Sequence, residues 1–157
     1  MKNSFQIDSL DRKILSILTK NARAPFLEVA RTCGISGAAV HQRVQRLIRL
    51  GIISGSQFNV DPKKLGFKTC AFIGIFLDNA ALFNSVSEKL IKIPEITQCH
   101  YITGEYAMFL EVYTRDNDHL RAVLADKIQA IKGVARTETF ISLNVLIDRQ
   151  MPVIEEL

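Results

Sequence analysis

Acidic side chains are absent from residues 29–60, a stretch that contains four arginines, namely Arg31, Arg43, Arg46 and Arg49. Gly34-Ile35-Ser36 lies at its centre, between two short amphipathic helical patterns. A glycine turn followed by a basic helix is typical of a segment that enters a groove of DNA, because acids there would repel the phosphates. The absence of acids therefore favours a DNA-binding segment.

Cysteine is also scarce. The three cysteines, Cys33, Cys70 and Cys99, are odd in number, widely spaced and outside any C-x-x-C motif. Each lies within an apolar pattern, which predicts a buried, reduced thiol. We therefore expect no structural zinc and no other metal site.

Long apolar runs are missing as well. The densest one, residues 71–77, is far too short to span a bilayer. Met1-Lys2-Asn3-Ser4 at the start of the sequence is not apolar and predicts no signal peptide. These features predict a cytoplasmic protein without a membrane partner.

The sequence contains no Ser/His/Asp set, no Gly-rich phosphate loop and no metal-ligand cluster, so we expect neither catalysis nor a cofactor. A small dimeric enzyme with a pair at Cys99 and His100 is one alternative, but neighbouring residues on a strand point to opposite faces. His41 is interpreted as a surface or packing residue. His119, in the first turn of a predicted helix, is expected to be solvated.

Charge is unevenly distributed along the chain. Residues 1–66 contain 11 Lys/Arg and 4 Asp/Glu, a net charge of +7, whereas residues 67–157 contain 9 and 12, a net charge of −3. A basic first part joined to a mildly acidic second part indicates one module that binds a polyanion and another with a different task.

Three short helices are predicted in the first module. Asp8 can cap the first, Pro25 can begin the second, and Ser36 can cap the third, which ends at Gly51. The buried stripes follow helical spacing and comprise, helix by helix, Leu10, Ile14, Ile17 and Leu18; Phe26, Val29, Ala30 and Cys33; and Val40, Val44, Leu47 and Ile48. Residues 54–60 are interpreted as an extended wing or linker strand.

The exposed face and N-terminal turn of the third helix form the predicted DNA-binding surface. Its residues are Ser36, Gly37, Ala38, Ala39, His41, Gln42, Arg43, Arg46 and Arg49. Gln42 suits adenine, Arg43 and Arg46 suit guanine or phosphate, and Arg49 suits phosphate. The sequence leaves open which arginine reads a base, and the alternative is an ordinary solvated helix face.

The second module follows the order β-α-β-β-α-β, with strands predicted at residues 68–77, 96–103, 107–114 and 134–147. Asp78 or Asn79 can cap the first helix, and Gly133 ends the second, which carries Leu120, Val123, Leu124, Ile128 and Ile131. This order is typical of a ferredoxin-like α+β fold, an antiparallel sheet with both helices on one face.

The first strand is apolar on both faces although helices can cover only one. Cys70, Phe72 and Phe76 alternate with Ala71, Ile73, Ile75 and Leu77. At about 25 cal/mol per Å², leaving the second face in water forfeits several kcal/mol per strand. We therefore predict that a second copy of the chain covers this face and that the protein is a homodimer.

Together these motifs resemble the Lrp/AsnC family, the feast/famine transcription regulators, over nearly the whole chain. The first module carries Leu10-Asp11, Ile14-Leu15, Asn21-Ala22-Arg23, Glu28-Val29-Ala30, Gly34-Ile35-Ser36, Arg43-Val44, Leu47 and Gly51-Ile52-Ile53. The second carries Thr103-Gly104-x-Tyr106, Gly133-Val134 and Thr137-x-Thr139. The segments closer to the AsnC branch are Phe72-Ile73-Gly74-Ile75, Lys127-Ile128-Gln129-x-Ile131 and Thr137-Glu138-Thr139.

The resemblance implies a winged helix-turn-helix domain at residues 1–60 and a ferredoxin-like ligand-sensing and oligomerisation domain at residues 61–157. It also implies double-stranded DNA as partner, dimers that assemble into octamers, and a small amino acid such as asparagine as effector. The implied effector residues are Thr103, Gly104, Glu105, Tyr106, Ala107, Thr137 and Thr139. The alternative is an architectural DNA-binding protein that senses nothing.

One position departs from many family members, which carry Asp where this chain has Ala107. AsnC-like sequences have a small residue there, so the change supports that branch and weakens a transfer of leucine sensing. Glu105 is a hypothetical substitute acceptor for the ammonium group of an effector.

Overall fold

A computed structural model describes residues 7–153. Within them the chain forms two compact units, one made of residues 7–59 with 147–153 and the other of residues 60–146. No helix in the described residues combines the length and apolar character needed to cross a membrane. The first four residues of the sequence, which predict the absence of a signal peptide, lie outside this range.

The first unit contains three helices: α1 (Ser9–Leu18), α2 (Phe26–Cys33) and α3 (Gly37–Arg49). Asp8 caps α1 in a reciprocal capping box, because its carboxyl accepts from the Asp11 N–H at 2.7 Å and the Asp11 carboxyl accepts from the Asp8 N–H at 3.2 Å. The core of the unit consists of Ile14, Val29, Ala30, Val40 and Val44. The three predicted helices are confirmed.

The turn between α2 and α3 sets the direction of α3. Gly34 has a φ of +70°, which favours glycine, and the Ile35 N–H donates to the Ala30 carbonyl at 3.1 Å to close α2. The Ser36 hydroxyl then accepts from the Ala39 N–H at 3.2 Å and caps α3. The predicted burial of Ile48 is wrong, since 45% of this residue is exposed.

Residues 54–60 form no strand in the structure and are exposed throughout. The predicted wing or linker strand is therefore not formed within the described residues. A strand needs a hydrogen-bonded neighbour, and this segment pairs with none of the four strands described below.

The second unit has the predicted β-α-β-β-α-β order and an antiparallel sheet. Its strands are β1 (Thr69–Leu77), β2 (Ile96–Tyr101), β3 (Met108–Thr114) and β4 (Val134–Ile141), arranged β2-β3-β1-β4. Its helices are α4 (Phe83–Leu90) and α5 (Asn117–Ala122), the latter continued by a π-helical segment, Val123–Ile128. The ferredoxin-like α+β prediction is confirmed. Ile73, Ile75, Leu110, Val86 and Ile128 join sheet and helices in one core.

The last strand is shorter than predicted. Its final contacts are the pair Ala71–Ile141 and the Ser142 N–H, which donates to the Cys70 carbonyl at 2.9 Å. Because β1 begins at Thr69, no partner remains for the rest of the predicted strand, and Leu143 is 94% exposed. The prediction of a strand over residues 142–147 is wrong for the single chain, as is the extension of β2 to residue 103.

The solvated position predicted for His119 is also wrong. Its side chain is only 17% exposed, and Nε2 lies 3.3 Å from Oε1 of Glu95. Lys127 donates to the same oxygen at 2.6 Å. The residues before β2 are thereby joined to the helix formed by α5 and the π-helical segment.

Candidate nucleic-acid interface and effector site

The predicted DNA-binding residues lie together on α3 and at its N-terminus. Helical spacing brings most of the polar ones onto an open concave surface, which also includes Asp8 and Gln45; its lining residues are Asp8, His41, Gln42, Arg43, Gln45, Arg46 and Arg49. Exposed along the helix and its cap are Ser36, Ala38, His41, Gln42 and Arg49, whereas Gly37, Ala39, Arg43 and Arg46 are partly buried.

Two residues of this set also pack within the first unit. A Cβ added at Gly37 would lie 3.2 Å from Cδ2 of Leu27, so this glycine lets α3 approach α2 closely. The His41 ring meets Phe26 edge to face, with centroids 6.0 Å apart. The small residue and the histidine therefore have structural reasons to be there in addition to any contact with DNA.

Two carboxylates from the start of α1 neutralise part of the basic face of α3. Nη1 of Arg43 donates to Asp8 at 2.7 Å and to Asp11 at 2.8 Å, and Nη1 of Arg46 donates to Asp11 at 3.0 Å. Asp11 is completely buried, whereas the Asp8 side chain is 51% exposed. The α3 segment itself contains no acidic residue, but the fold brings the carboxylates of Asp8 and Asp11 to its basic face.

These ion pairs favour the charged forms of their members. Partial burial by itself would raise the pKa of Asp8, but the hydrogen bonds from Arg43 and from the Asp11 N–H, together with the charge of Arg43, outweigh it and hold that pKa below its usual value. The hydrogen bonds to Asp8 and Asp11 in turn raise the pKa of Arg43. Near neutral pH, Asp8 and Arg43 are therefore held as an ion pair.

The burial of Asp11 and its need for a cationic partner could have been predicted from its position in the sequence. Asp11 stands three residues before Ile14 and four before Leu15, both of which are buried, so it belongs to the buried stripe of α1. An acid within such a stripe needs a cationic partner, because burying an unpaired carboxylate is costly. The nearest source of cations without acids of its own is α3.

Arg49 differs from the other two arginines of α3. It is exposed and forms no ion pair with any carboxylate among residues 7–153. Its place in the last turn of α3 leaves its charge available to a phosphate, together with the exposed amides of Gln42 and Gln45.

The predicted effector residues fall into two groups, one in the connection between β2 and β3 and the other on β4. The first group belongs to the connection between β2 and β3, where Thr103, Gly104 and Glu105 are exposed and Gly104 has a φ of +125°. Ala107 continues the ladder, since its N–H donates to the Ile75 carbonyl at 2.8 Å.

Tyr106 lies on the face of the sheet that carries no helix, directly over Gly74. A Cβ at Gly74 would come within 2.5 Å of the tyrosine ring, so only glycine leaves room for it. The Tyr106 hydroxyl donates to Oε2 of Glu138 at 2.6 Å, and Arg136 donates to the other oxygen at 2.7 Å. Glu138, which was not predicted as a site residue, is thus the polar partner of this hairpin.

The second group lies on the helix-covered face. Thr137 and Thr139 are paired with Ile75 and Ile73, whose side chains belong to the core, and cross-strand partners share a face. The Thr137 hydroxyl accepts from the Gln129 amide at 2.9 Å. The single chain therefore does not bring Tyr106 and the two threonines into one pocket.

The helix-free face of the sheet is rich in aromatic side chains. Phe72 stacks on Phe109 with centroids 5.9 Å apart, Tyr106 meets Phe76 at 5.0 Å, and the Arg136 guanidinium lies 3.5 Å above the Phe76 ring. We call this surface, formed by Phe72, Phe76, Tyr106 and Phe109, the aromatic face. The two-sided apolar character predicted for β1 is confirmed.

Family models match both units. Residues 7–48 match the AsnC-type helix-turn-helix domain, and residues 70–152 match the Lrp/AsnC ligand binding domain. Among curated proteins, the chain is 44% identical over 137 residues to the regulatory protein AsnC of Haemophilus influenzae, covering 87% of this chain and 91% of that protein. It is 41% identical over 140 residues to the regulatory protein AsnC of Escherichia coli K12, covering 89% and 92%.

Solved structures agree with this match. The structure of E. coli AsnC superposes with a TM-score of 0.90 at 40% identity, covering 94% of this chain and 99% of that chain. A feast or famine regulatory protein from M. tuberculosis, complexed with L-methionine, superposes with a TM-score of 0.87 at 29% identity and the same coverage.

Proposed function

The chain belongs to the Lrp/AsnC family of transcriptional regulators, and from this membership we propose that it recognises specific duplex DNA and responds to a small amino acid. Residues 1–60 would form the DNA-binding domain and residues 61–157 the sensing and oligomerisation domain. The observation that carries the DNA assignment is the outer face of α3, which is basic, exposed and presented by a tight turn at Gly34.

DNA contact is assigned to α3 and its N-terminal cap. The exposed amide of Gln42 can bond adenine, and Arg49 can neutralise a phosphate without first leaving an ion pair. The assigned residues remain Ser36, Gly37, Ala38, Ala39, His41, Gln42, Arg43, Arg46 and Arg49. Arg43 and Arg46 are also assigned to DNA contact, and Asp8 and Asp11 orient their side chains.

Homodimerisation is supported by the aromatic face. Four aromatic side chains on a sheet surface without a helix form an apolar patch of the kind that protein interfaces bury. A second copy related by a two-fold axis offers the same patch in return and presents a second α3 to the DNA. Assembly of such dimers into octamers belongs to this proposal as well.

The effector is proposed to be a small amino acid, in line with the L-methionine bound to the M. tuberculosis protein. The assigned residues are Thr103, Gly104, Glu105, Tyr106, Ala107, Thr137 and Thr139. Because the two faces of one sheet separate Tyr106 from the threonines, a complete pocket requires a neighbouring chain beside the hairpin. An effector bound there would couple ligand binding to assembly.

A gel shift on the DNA upstream of the protein's own coding sequence tests the proposal. We expect a salt-sensitive complex whose affinity changes when one member of a panel of amino acids is added. A complex that forms but ignores every amino acid would instead indicate an architectural protein. No affinity for any duplex would contradict the DNA assignment.

Calorimetric titration with asparagine tests Glu105 as the acceptor of the effector's ammonium group. If asparagine binds, Glu105→Ala should weaken it, whereas Glu88→Ala, which removes an exposed acid from α4, should not. Equal affinity of the two variants would rule out this role for Glu105.

A further inference from the structure

The α1 carboxylates and the α3 arginines form one ion-pair cluster, which we define as Asp8, Asp11, Arg43 and Arg46. Each oxygen of Asp11 receives a different guanidinium, Oδ1 from Arg43 and Oδ2 from Arg46. A fully buried carboxylate is tolerated only when it is paired and hydrogen bonded. Asp11 therefore holds both arginines in fixed positions on the helix that is assigned to DNA.

The cluster also changes what these arginines contribute to DNA binding. Affinity for duplex DNA of any sequence depends on cations that neutralise phosphates and release condensed counterions. A guanidinium already neutralised by Asp8 and Asp11 has less charge to offer a phosphate. The two carboxylates balance the charges of Arg43 and Arg46, and Arg49 remains outside the cluster.

We propose that Asp8 and Asp11 are specificity-determining residues, which restrain Arg43 and Arg46 and thereby lower the affinity of the protein for DNA of unrelated sequence. Under this restraint the general attraction to phosphates is weak, and tight binding requires the base contacts of the correct site. The inference rests on the proposed DNA-binding function. It adds two acidic residues to the residues assigned to DNA contact, none of which is acidic.

The two carboxylates have different parts in this arrangement. Asp11 is inaccessible and bonds both arginines as well as the Asp8 N–H, so it positions the side chains and supports α1. Asp8 is half exposed and bonds Arg43 at the surface, where a phosphate can compete for the same guanidinium. Asp8 is therefore the residue whose charge can be removed with the least effect on the fold.

Asp8→Asn isolates the charge, because asparagine caps a helix about as well as aspartate. The experiment measures the affinity of the full chain for its own upstream DNA and for an unrelated duplex of equal length over a range of salt concentrations. On the unrelated duplex we expect Asp8→Asn to bind more tightly than the unaltered protein. The slope of log affinity against log salt should be steeper by about one for each α3 engaged. The ratio of specific to unrelated affinity should fall several-fold.

Glu28→Gln is the matched control, since it removes one exposed acid of the same unit that contacts neither arginine. Arg43→Ala, alone and combined with Asp8→Asn, completes a double-mutant cycle. The effect of Asp8→Asn should be absent from Glu28→Gln and should disappear once Arg43 is removed.

Three results would overturn the inference: no effect of Asp8→Asn, an equal effect of Glu28→Gln, or an Asp8→Asn effect that persists without Arg43. A failure of the proposed function looks different, because the unaltered protein would then show no salt-sensitive affinity for either duplex. Melting curves of each variant confirm that the first unit remains folded.

Discussion

Gly74 shows how a single missing side chain builds a surface. It lies in the middle of β1, has no positive φ, and would be replaceable by a larger residue if only its backbone mattered. Its neighbour across the aromatic face decides otherwise, because the Tyr106 ring occupies the space of a Cβ. Tyr106 can then reach Glu138 and pack against Phe76 and Phe109.

Gly74→Ala should lower the free energy of unfolding by about 1–3 kcal/mol, because the added methyl group overpacks against the Tyr106 ring. Urea unfolding at a fixed protein concentration measures this change. In a Tyr106→Ala background the same substitution should cost nothing, since the obstacle is gone. An equal cost in both backgrounds would show that another contact excludes the methyl group.

The structural role of a residue was predictable from sequence where it depends on neighbours in the chain. It was missed where the partner is distant in the chain. Asp8 was recognised as a cap because capping involves the next three residues. Its bond to Arg43 joins residues 35 apart, and no periodicity indicates such a pair. The need for glycine at position 74 was not predictable either, because the Tyr106 ring that occupies the space of its Cβ comes from the connection between β2 and β3.

At the scale of elements, the helices of the first unit follow their apolar periodicity closely. The second helix of the second unit is less regular, since α5 passes into the π-helical segment Val123–Ile128. Leu120 in α5 is buried, and so are Val123 and Ile128 in the π-helical segment, so the apolar pattern does not distinguish the two helix types. The overextended last strand has a similar cause, because alternation reveals faces but not where the neighbouring strand begins.

On α3, Arg46→Ala and Arg49→Ala should both weaken DNA binding. Arg49→Ala should reduce the salt slope by about one per helix engaged, and Arg46→Ala should reduce it less, because Asp11 already balances part of its charge. Only Arg46→Ala should also lower the free energy of unfolding, because it deprives buried Asp11 of a partner. Salt titrations of binding and urea unfolding of both variants separate the two effects, with Lys132→Ala as a control outside this unit. Unchanged binding by both variants would place the DNA surface elsewhere.

Glu95 ties the start of β2 to α5 and should make stability depend on pH. Burial alone would raise the pKa of Glu95, but the hydrogen bonds from Lys127 and His119, together with the charge of Lys127, outweigh it and lower that pKa. The ionised carboxyl therefore favours the folded state above the unfolded pKa, and this contribution is lost as the pH falls through the lower folded pKa.

Glu95→Gln should accordingly lower the free energy of unfolding at pH 7, and its difference from the unaltered protein should shrink as the pH falls below about 4. Denaturant unfolding at several pH values measures the difference. Glu88→Gln, an exposed acid of α4, provides the comparison. A difference that stays constant over this range would mean that the packing of the Glu95 side chain, and not its charge, contributes to the free energy of unfolding.

At the scale of the whole molecule, charge and apolar surface are divided between the two parts of the chain. The first part carries the positive net charge and the second the negative one, while the aromatic face belongs to the second unit alone. This division matches separate tasks in DNA contact and assembly. The division of charge was predictable from composition, whereas the separation of Tyr106 from Thr137 and Thr139 depended on the strand register.

Phe72→Glu should shift the protein towards single protomers, because a charge on the aromatic face would have to be buried in the proposed dimer. Sedimentation at several concentrations measures the shift. Ile91→Glu provides the control, since Ile91 is an exposed apolar residue after α4 and away from this face. If both variants sediment like the unaltered protein, the aromatic face is not the interface.

The double duty of Asp8 limits how this protein can diverge. Exchanging the partners, with arginine at position 8 and aspartate at position 43, would preserve their mutual attraction. It would nevertheless remove the acceptor that begins α1 and place a negative charge on the surface assigned to DNA. The pair can therefore be weakened by mutation but not inverted. The acid must stay at position 8 and the base at position 43.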